Sequence, residues 1–144
     1  MKTVHPYLLF RGNTAEAFEF YEGVFQSKVD SRTYYREFGS DMGWREGEGD
    51  LLANISLPLT DKISLMGNDV TESMQRELNT AGNVQLTLVP DDADEARRLF
   101  DALSEGGTVK EALGAAPFAE LYGEVTDRFG TQWIVILEGD VTFG

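Results

Sequence analysis

The stretch Asn13-Thr14-Ala15-Glu16-Ala17-Phe18-Glu19-Phe20-Tyr21-Glu22-Gly23-Val24-Phe25 has a counterpart in different letters, Asp92-Ala93-Asp94-Glu95-Ala96-Arg97-Arg98-Leu99-Phe100-Asp101-Ala102-Leu103. Each opens on an Asx residue followed three positions later by glutamate. In that arrangement the first side chain caps free backbone N–H groups and the second reaches back. Apolar residues then recur at helical spacing: Ala17, Tyr21 and Val24 or Phe25 in one, and Ala96, Leu99, Phe100 and Leu103 in the other. Gly106-Gly107 closes the second. Placed in register, Asn13 falls on Asp92, Glu16 on Glu95, Ala17 on Ala96, Phe20 on Leu99, Tyr21 on Phe100 and Val24 on Leu103, all at one displacement.

The flanks repeat as well. Tyr7 to Phe10 and Leu86 to Val89 read as short strands before each helix. Ser31 to Arg36, Asp50 to Leu57 and Lys62 to Met66 follow the first, and Thr108 to Glu111, Leu121 to Thr126 and Gln132 to Leu137 follow the second. Strand, helix and three strands, twice over, predicts an α+β chain of two βαβββ modules. The first module covers about residues 1–66, a connector with one helical turn residues 67–82, and the second about 83–144. Between Gly39 and Gly49 four glycines surround Met42 and Trp44, which reads as a binding loop or a hairpin tip.

Composition narrows the functional classes. The 144 residues suit one domain. With 12 basic against 25 acidic residues the net charge is −13, which repels phosphate backbones and anionic lipid. No nucleic-acid or membrane partner is expected. Cysteine is absent, which removes disulfides, thiolate nucleophiles and Cys-based zinc sites and fits a reducing compartment. No apolar run approaches the roughly 20 residues that cross a bilayer, and the first residues lack a secretory h-region. A soluble cytoplasmic protein is expected.

The order βαβββ–βαβββ, the helical Phe20-Tyr21-Glu22-Gly23-Val24-Phe25 and the late segment Thr126-Asp127-Arg128-Phe129-Gly130-Thr131-Gln132-Trp133 resemble the vicinal-oxygen-chelate superfamily of glyoxalase, bleomycin-resistance and dioxygenase proteins. His5-Pro6-Tyr7-Leu8-Leu9-Phe10 resembles the opening of its PhnB-like branch, with histidine where that branch has asparagine. The resemblance spans essentially the whole chain and implies a curved, cupped mixed sheet around a pocket. Asp127 to Gly130 itself is a turn between strands, with glycine free to take positive φ, and reads as architecture.

Metal-dependent members of the superfamily use one position on the first and one on the last strand of each module. Carried over, these fall on His5, Ser64, Val84 (Gln85 if the register moves by one) and Ile134. One good donor among four does not hold a catalytic divalent ion. No metal and no cofactor are therefore expected.

Period-two alternation puts His5, Tyr7 and Leu9 on one face of the first strand and Ser64 with Met66 on the fourth. It puts Val84, Leu86 and Leu88 on the fifth and Gln132, Ile134 and Ile136 on the last. The expected cavity is apolar with polar tips, suited to a small apolar or aromatic ligand. Its candidate lining is His5, Tyr7, Tyr35, Trp44, Ser64, Met66, Gln85, Tyr122, Glu124 and Gln132. The favoured reading is a metal-free small-molecule-binding protein completed as a homodimer, which covers open strand edges. The alternative is a metal-dependent lyase, isomerase or dioxygenase using His5 and Glu124. No catalytic residue is assigned, and whether the chain is an enzyme stays open. Methyl transfer has no glycine-rich turn to serve an adenosyl cofactor.

Overall fold

The computed structural model describes residues 1–39, 41, 43–74, 78 and 82–140. Met42 and residues 75–77 and 79–81 of the expected connector lie outside them. The chain divides into two compact units, residues 1–79 and 80–144, and each is a βαβββ module.

In the first unit β1 (Tyr7–Phe10) leads to α1 (Thr14–Phe25), then β2 (Ser31–Tyr34), β3 (Leu52–Pro58) and β4 (Ser64–Asp69). The sheet order is β1-β4-β3-β2, with β1 parallel to β4 and the other pairs antiparallel. Thr14, Ala17, Phe18, Tyr21 and Val24 form the buried stripe of α1 and pack on Leu52, Ile55, Leu57 and Leu65. Phe18 sits so close to β4 that a Cβ on Gly67 would lie 2.8 Å from the Leu8 carbonyl oxygen and 3.0 Å from the Phe18 ring.

Three local readings change. Asn13 makes no side-chain cap. Asp69 at the end of β4 takes that role: Oδ1 accepts from Gly12 N (2.9 Å), Thr14 N (3.1 Å) and Thr14 Oγ1 (2.7 Å), while Oδ2 accepts from Leu52 N (2.9 Å). A carboxylate delivered across the sheet satisfies the helix donors better than the short asparagine beside them. Second, β2 stops at Tyr34, where a register shift feeds a 3-10 turn at Tyr35–Glu37. Third, β4 runs through Gly67-Asn68-Asp69, residues that read locally as the connector, because pairing with β1 outweighs their turn propensity. Beyond it, one 3-10 turn forms at Glu72–Met74.

In the second unit β5 (Leu86–Leu88), α2 (Ala93–Ser104), β6 (Thr108–Ala116), β7 (Ala119–Thr126) and β8 (Gln132–Leu137) repeat the plan in the order β5-β8-β7-β6. Here the local cap does form, with Asp92 Oδ1 accepting from Glu95 N at 2.8 Å and Glu95 Oε1 from Asp91 N at 3.0 Å. Ala96, Leu99, Phe100 and Leu103 pack on Leu121, Val125, Trp133 and Val135. The close-packed glycine recurs as Gly123, where a Cβ would lie 2.6 Å from the Phe100 ring. Strand β6 outruns its expected end at Glu111 because its irregular ladder with β7 carries the weak strand formers Ala112 to Ala116. Asp127 is architectural, as its turn suggested: Oδ1 accepts from Phe129 N and Thr131 N, and Oδ2 from Trp133 Nε1 at 2.9 Å.

Candidate functional site

Each helix covers one face of its sheet. The other face, open within its own module, collects most of the residues that the sequence singles out.

In the first module the ladder pairs Tyr7 with Met66 and Leu9 with Asn68, so these four share the open face. Pairing of β3 adds Ser56 beside Met66 and Pro58 beside Ser64, and β2 adds Ser31 and Thr33. Asn54, opposite Thr33, donates from Nδ2 to the Tyr7 hydroxyl at 3.4 Å, and Tyr7 itself is 45% exposed. His5 stands just before β1 and is exposed, with Nδ1 accepting from Ser64 N at 2.9 Å. That bond fixes Nδ1 as an acceptor and spends it on the backbone. Tyr35 is buried, donating to the Asp69 carbonyl at 2.6 Å and accepting from Asn68 Nδ2 at 3.4 Å. Its phenol pKa is raised, chiefly by burial and against the lowering effect of the Asn68 bond.

Trp44 is held within its own loop. Its Nε1 donates to the Gly39 carbonyl at 3.1 Å, and its ring lies against Gly49. That loop is tied down by Glu48, which accepts from Arg45 N at 2.7 Å and meets the Ser73 hydroxyl at 2.6 Å. The Ser73 hydroxyl holds the Glu48 carboxyl below its usual range.

In the second module the register corrects one expectation. Leu86 pairs with Trp133 and Leu88 with Val135, so both leucines lie on the helix face. Thr87 joins Ile134 on the open side. The leucines are drawn under α2 because burial there removes them from water. Gln85, rather than the 67% exposed Val84, therefore reaches the open face, and its Nε2 donates to Glu124 Oε1 at 2.8 Å. Glu124 pairs with Ile134 and Tyr122 with Ile136, while Glu111 sits opposite Glu124 on β6. The Tyr122 phenol pKa is raised, first by burial, then by the Glu124 charge and hydrogen bond and by Glu111. Phe118 packs edge-on against the Tyr122 ring at 4.9 Å. Gln132 pairs with Thr126 and donates to the Gly82 carbonyl at 3.1 Å.

The structure thus joins His5 with Ser64, Tyr7 with Met66, and Gln85 with Glu124 and Tyr122, and keeps Trp44 apart. Sequence reading missed Asn54, Ser56 and Asn68 in the first module and Glu111 and Phe118 in the second. Asn68 joins this face only because pairing with β1 carries β4 two residues past Met66. A separate cleft of about 650 Å³ between α1 and β2 is lined by charges of both signs, including Glu16, Glu19, Lys28 and Arg32. It takes in none of the candidate residues.

The strand positions that would supply metal ligands present His5, whose Nδ1 already accepts from Ser64 N, a serine hydroxyl at Ser64, the apolar Ile134, and a Gln85 amide engaged by Glu124, a poor donor set for a catalytic divalent ion. Among the described residues no three His, Cys, Asp or Glu side chains gather into a metal-holding group.

Residues 2–136 match the family described as 3-demethylubiquinone-9 3-methyltransferase. The chain belongs to that family. The likeness to PhnB and to vicinal-oxygen-chelate proteins that the His5 to Phe10 segment and the repeat suggested is met at the level of fold. A Pseudomonas aeruginosa protein, PA1353, is 29% identical and superposes with a TM-score of 0.82 over 94% of this chain and 97% of its own. A Bacillus cereus protein described as a putative 3-demethylubiquinone-9 3-methyltransferase, PhnB, is 24% identical with a TM-score of 0.76, covering 94% and 98%. The glyoxylase/bleomycin resistance protein/dioxygenase domain of Frankia sp. EAN1pec is 12% identical with a TM-score of 0.67, covering 97% and 93%, a likeness of fold alone. The chain is therefore an α+β protein of two βαβββ modules with a glyoxalase-like fold. None of its described helices is long and apolar enough to cross a membrane.

Proposed function

We propose that this PhnB-like protein binds a small organic molecule on the open face of a sheet, without a catalytic metal, and works in the cytoplasm as a homodimer with both modules acting as one domain. One observation carries the reading. Each module leaves one sheet face uncovered by its helix, and there tyrosine, methionine or isoleucine alternates with hydrogen-bonding side chains that are half-buried or exposed. A mixed surface of this kind orients a ligand through a few polar groups while apolar contact supplies affinity. The polar share is larger than an apolar pocket needs, which moves the ligand class from purely apolar toward aromatic molecules that also hydrogen-bond.

Dimerisation is supported by strand edges that carry exposed apolar side chains, Val4 beside β1 and Val84 and Val89 around β5. Methyl transfer finds no support in the geometry. Among the described residues each sheet has a single parallel pair, and no doubly wound parallel sheet offers a glycine-rich turn to a nucleotide-like cofactor.

The test is a thermal-shift screen of small aromatics bearing phenol, amide or carbonyl groups, run on chelator-treated protein. Stabilisation that persists in chelator is expected, since a ligand binding only the folded state raises its melting temperature. No stabilisation across the panel, or stabilisation only after adding a divalent ion, would overturn the proposal. Elemental analysis of protein purified without chelator is the companion measurement: a stoichiometric divalent ion would favour a metal-dependent lyase, isomerase or dioxygenase.

A further inference from the structure

The two open faces differ in charge. About 26% of the chain is Asp, Glu, Lys or Arg, and the second module carries Glu111 and Glu124 on its open face. The paired open-face positions of β1 to β4 carry none. Instead they present hydrogen-bonding capacity that the protein leaves unused. The Tyr7 hydroxyl accepts from Asn54 and retains its own proton. Asn68 spends Nδ2 on the Asp69 carbonyl and the Tyr35 hydroxyl, which leaves Oδ1 as an acceptor. Asn54 Oδ1 and the Ser56 hydroxyl have no protein partner among the described residues. Met66 and Leu9 supply apolar surface between these groups.

We propose that the first module selects an uncharged ligand, a small molecule with an amide, carbonyl or hydroxyl edge on an apolar body. The inference rests on the binding function proposed above and narrows its ligand class. A neutral amide or hydroxyl exchanges its water for Tyr7, Asn54, Ser56 and Asn68 at little net loss. A carboxylate or amidinium would shed hydration on this face and meet no opposite charge at the paired positions of β1 to β4, a cost that neutral hydrogen bonds only partly offset.

Benzamide, benzoate and benzamidine are nearly isosteric and differ in charge, so they isolate this property. Each is titrated into the full-length isotope-labelled protein while the backbone amide resonances are followed. Benzamide should move the resonances of Tyr7, Ser56 and Met66, with a dissociation constant roughly tenfold below those of both charged analogues. Asn54→Asp places a carboxylate on the face with almost no change of shape and should make benzamidine the preferred probe there.

Equal or tighter binding of benzoate or benzamidine to those resonances in the unaltered protein overturns the inference, as does an unchanged preference in a folded Asn54→Asp protein. Shifts confined to residues 86–137 overturn it while leaving small-molecule binding intact. Silence from all three probes also overturns it, and the wider aromatic screen then decides the binding function separately.

Discussion

Replacing Asp69 should damage the first module far more than replacing Asn13, although Asn13 holds the helix-capping position in the sequence. Asp69 is 2% exposed, and its two oxygens receive four hydrogen bonds from Gly12, Thr14 and Leu52. In Asp69→Asn one oxygen survives. If it keeps the three donors at Oδ1, the new amide N–H group faces Leu52 N–H, donor against donor, in a buried setting. A buried donor left unsatisfied costs about 1–3 kcal/mol, and bonds to a charged acceptor are worth more than neutral ones. The substitution should therefore cost about 2–3 kcal/mol, or roughly 4–12 °C in melting temperature for a chain of this size. Asn13→Ala removes no cap bond and should stay within about 0.5 kcal/mol. Urea denaturation of the three proteins, followed by helix signal, compares the midpoints directly. A loss of about 1 kcal/mol or more in Asn13→Ala, with Asp69→Asn near neutral, would refute the carboxylate cap.

Gly123→Ala should destabilise by about 1–3 kcal/mol, because the added carbon would lie 2.6 Å from the Phe100 ring and 3.0 Å from the Leu113 backbone. Gly114→Ala, whose nearest neighbour is 4.0 Å away, is the control, and equal midpoints for the two in denaturant would contradict the packing. Tyr35 and Tyr122 should form phenolate only above the ordinary tyrosine range, so Tyr122→Phe should remove part of the late rise in phenolate absorbance. A folded-state pKa raised above the unfolded value gives stability that is intact below about pH 10 and declines as pH climbs toward the folded value. Stability rising across that alkaline window in the unaltered protein, relative to Tyr122→Phe, would reject the assignment.

The repeat was legible because helical spacing survives divergence. Ala17, Tyr21 and Val24 answer Ala96, Phe100 and Leu103, and all six are buried. The strand ends were less legible, since pairing decides them. Nothing local marks Gly67-Asn68-Asp69 as strand, and nothing local extends β6 to Ala116; in each case the partner strand supplies the hydrogen bonds. The same limit hid much of the candidate site. Alternation separates Val84, Leu86 and Leu88 from Gln85 and Thr87 without saying which set α2 covers, and only the ladder with β8 shows that Leu86 and Leu88 lie on the helix face while Gln85 reaches Glu124. Capping misled for a related reason, because the residue that satisfies the first turn of α1 is more than fifty positions away along the chain.

Duplication explains why the two open faces could part company. After a module is copied, the fold constrains the helix-facing residues in both copies, since each must still bury an apolar stripe against its sheet. Gly67 and Gly123 meet that demand independently: at non-equivalent positions on different strands, each admits an aromatic ring of the covering helix, Phe18 in one case and Phe100 in the other. The open faces carry no such obligation. One has kept Tyr7, Asn54, Ser56 and Asn68 without a charge, and the other has gathered Glu111, Glu124 and Gln85. Each face has thereby acquired its own chemistry, an uncharged hydrogen-bonding surface in the first module and an acidic one in the second.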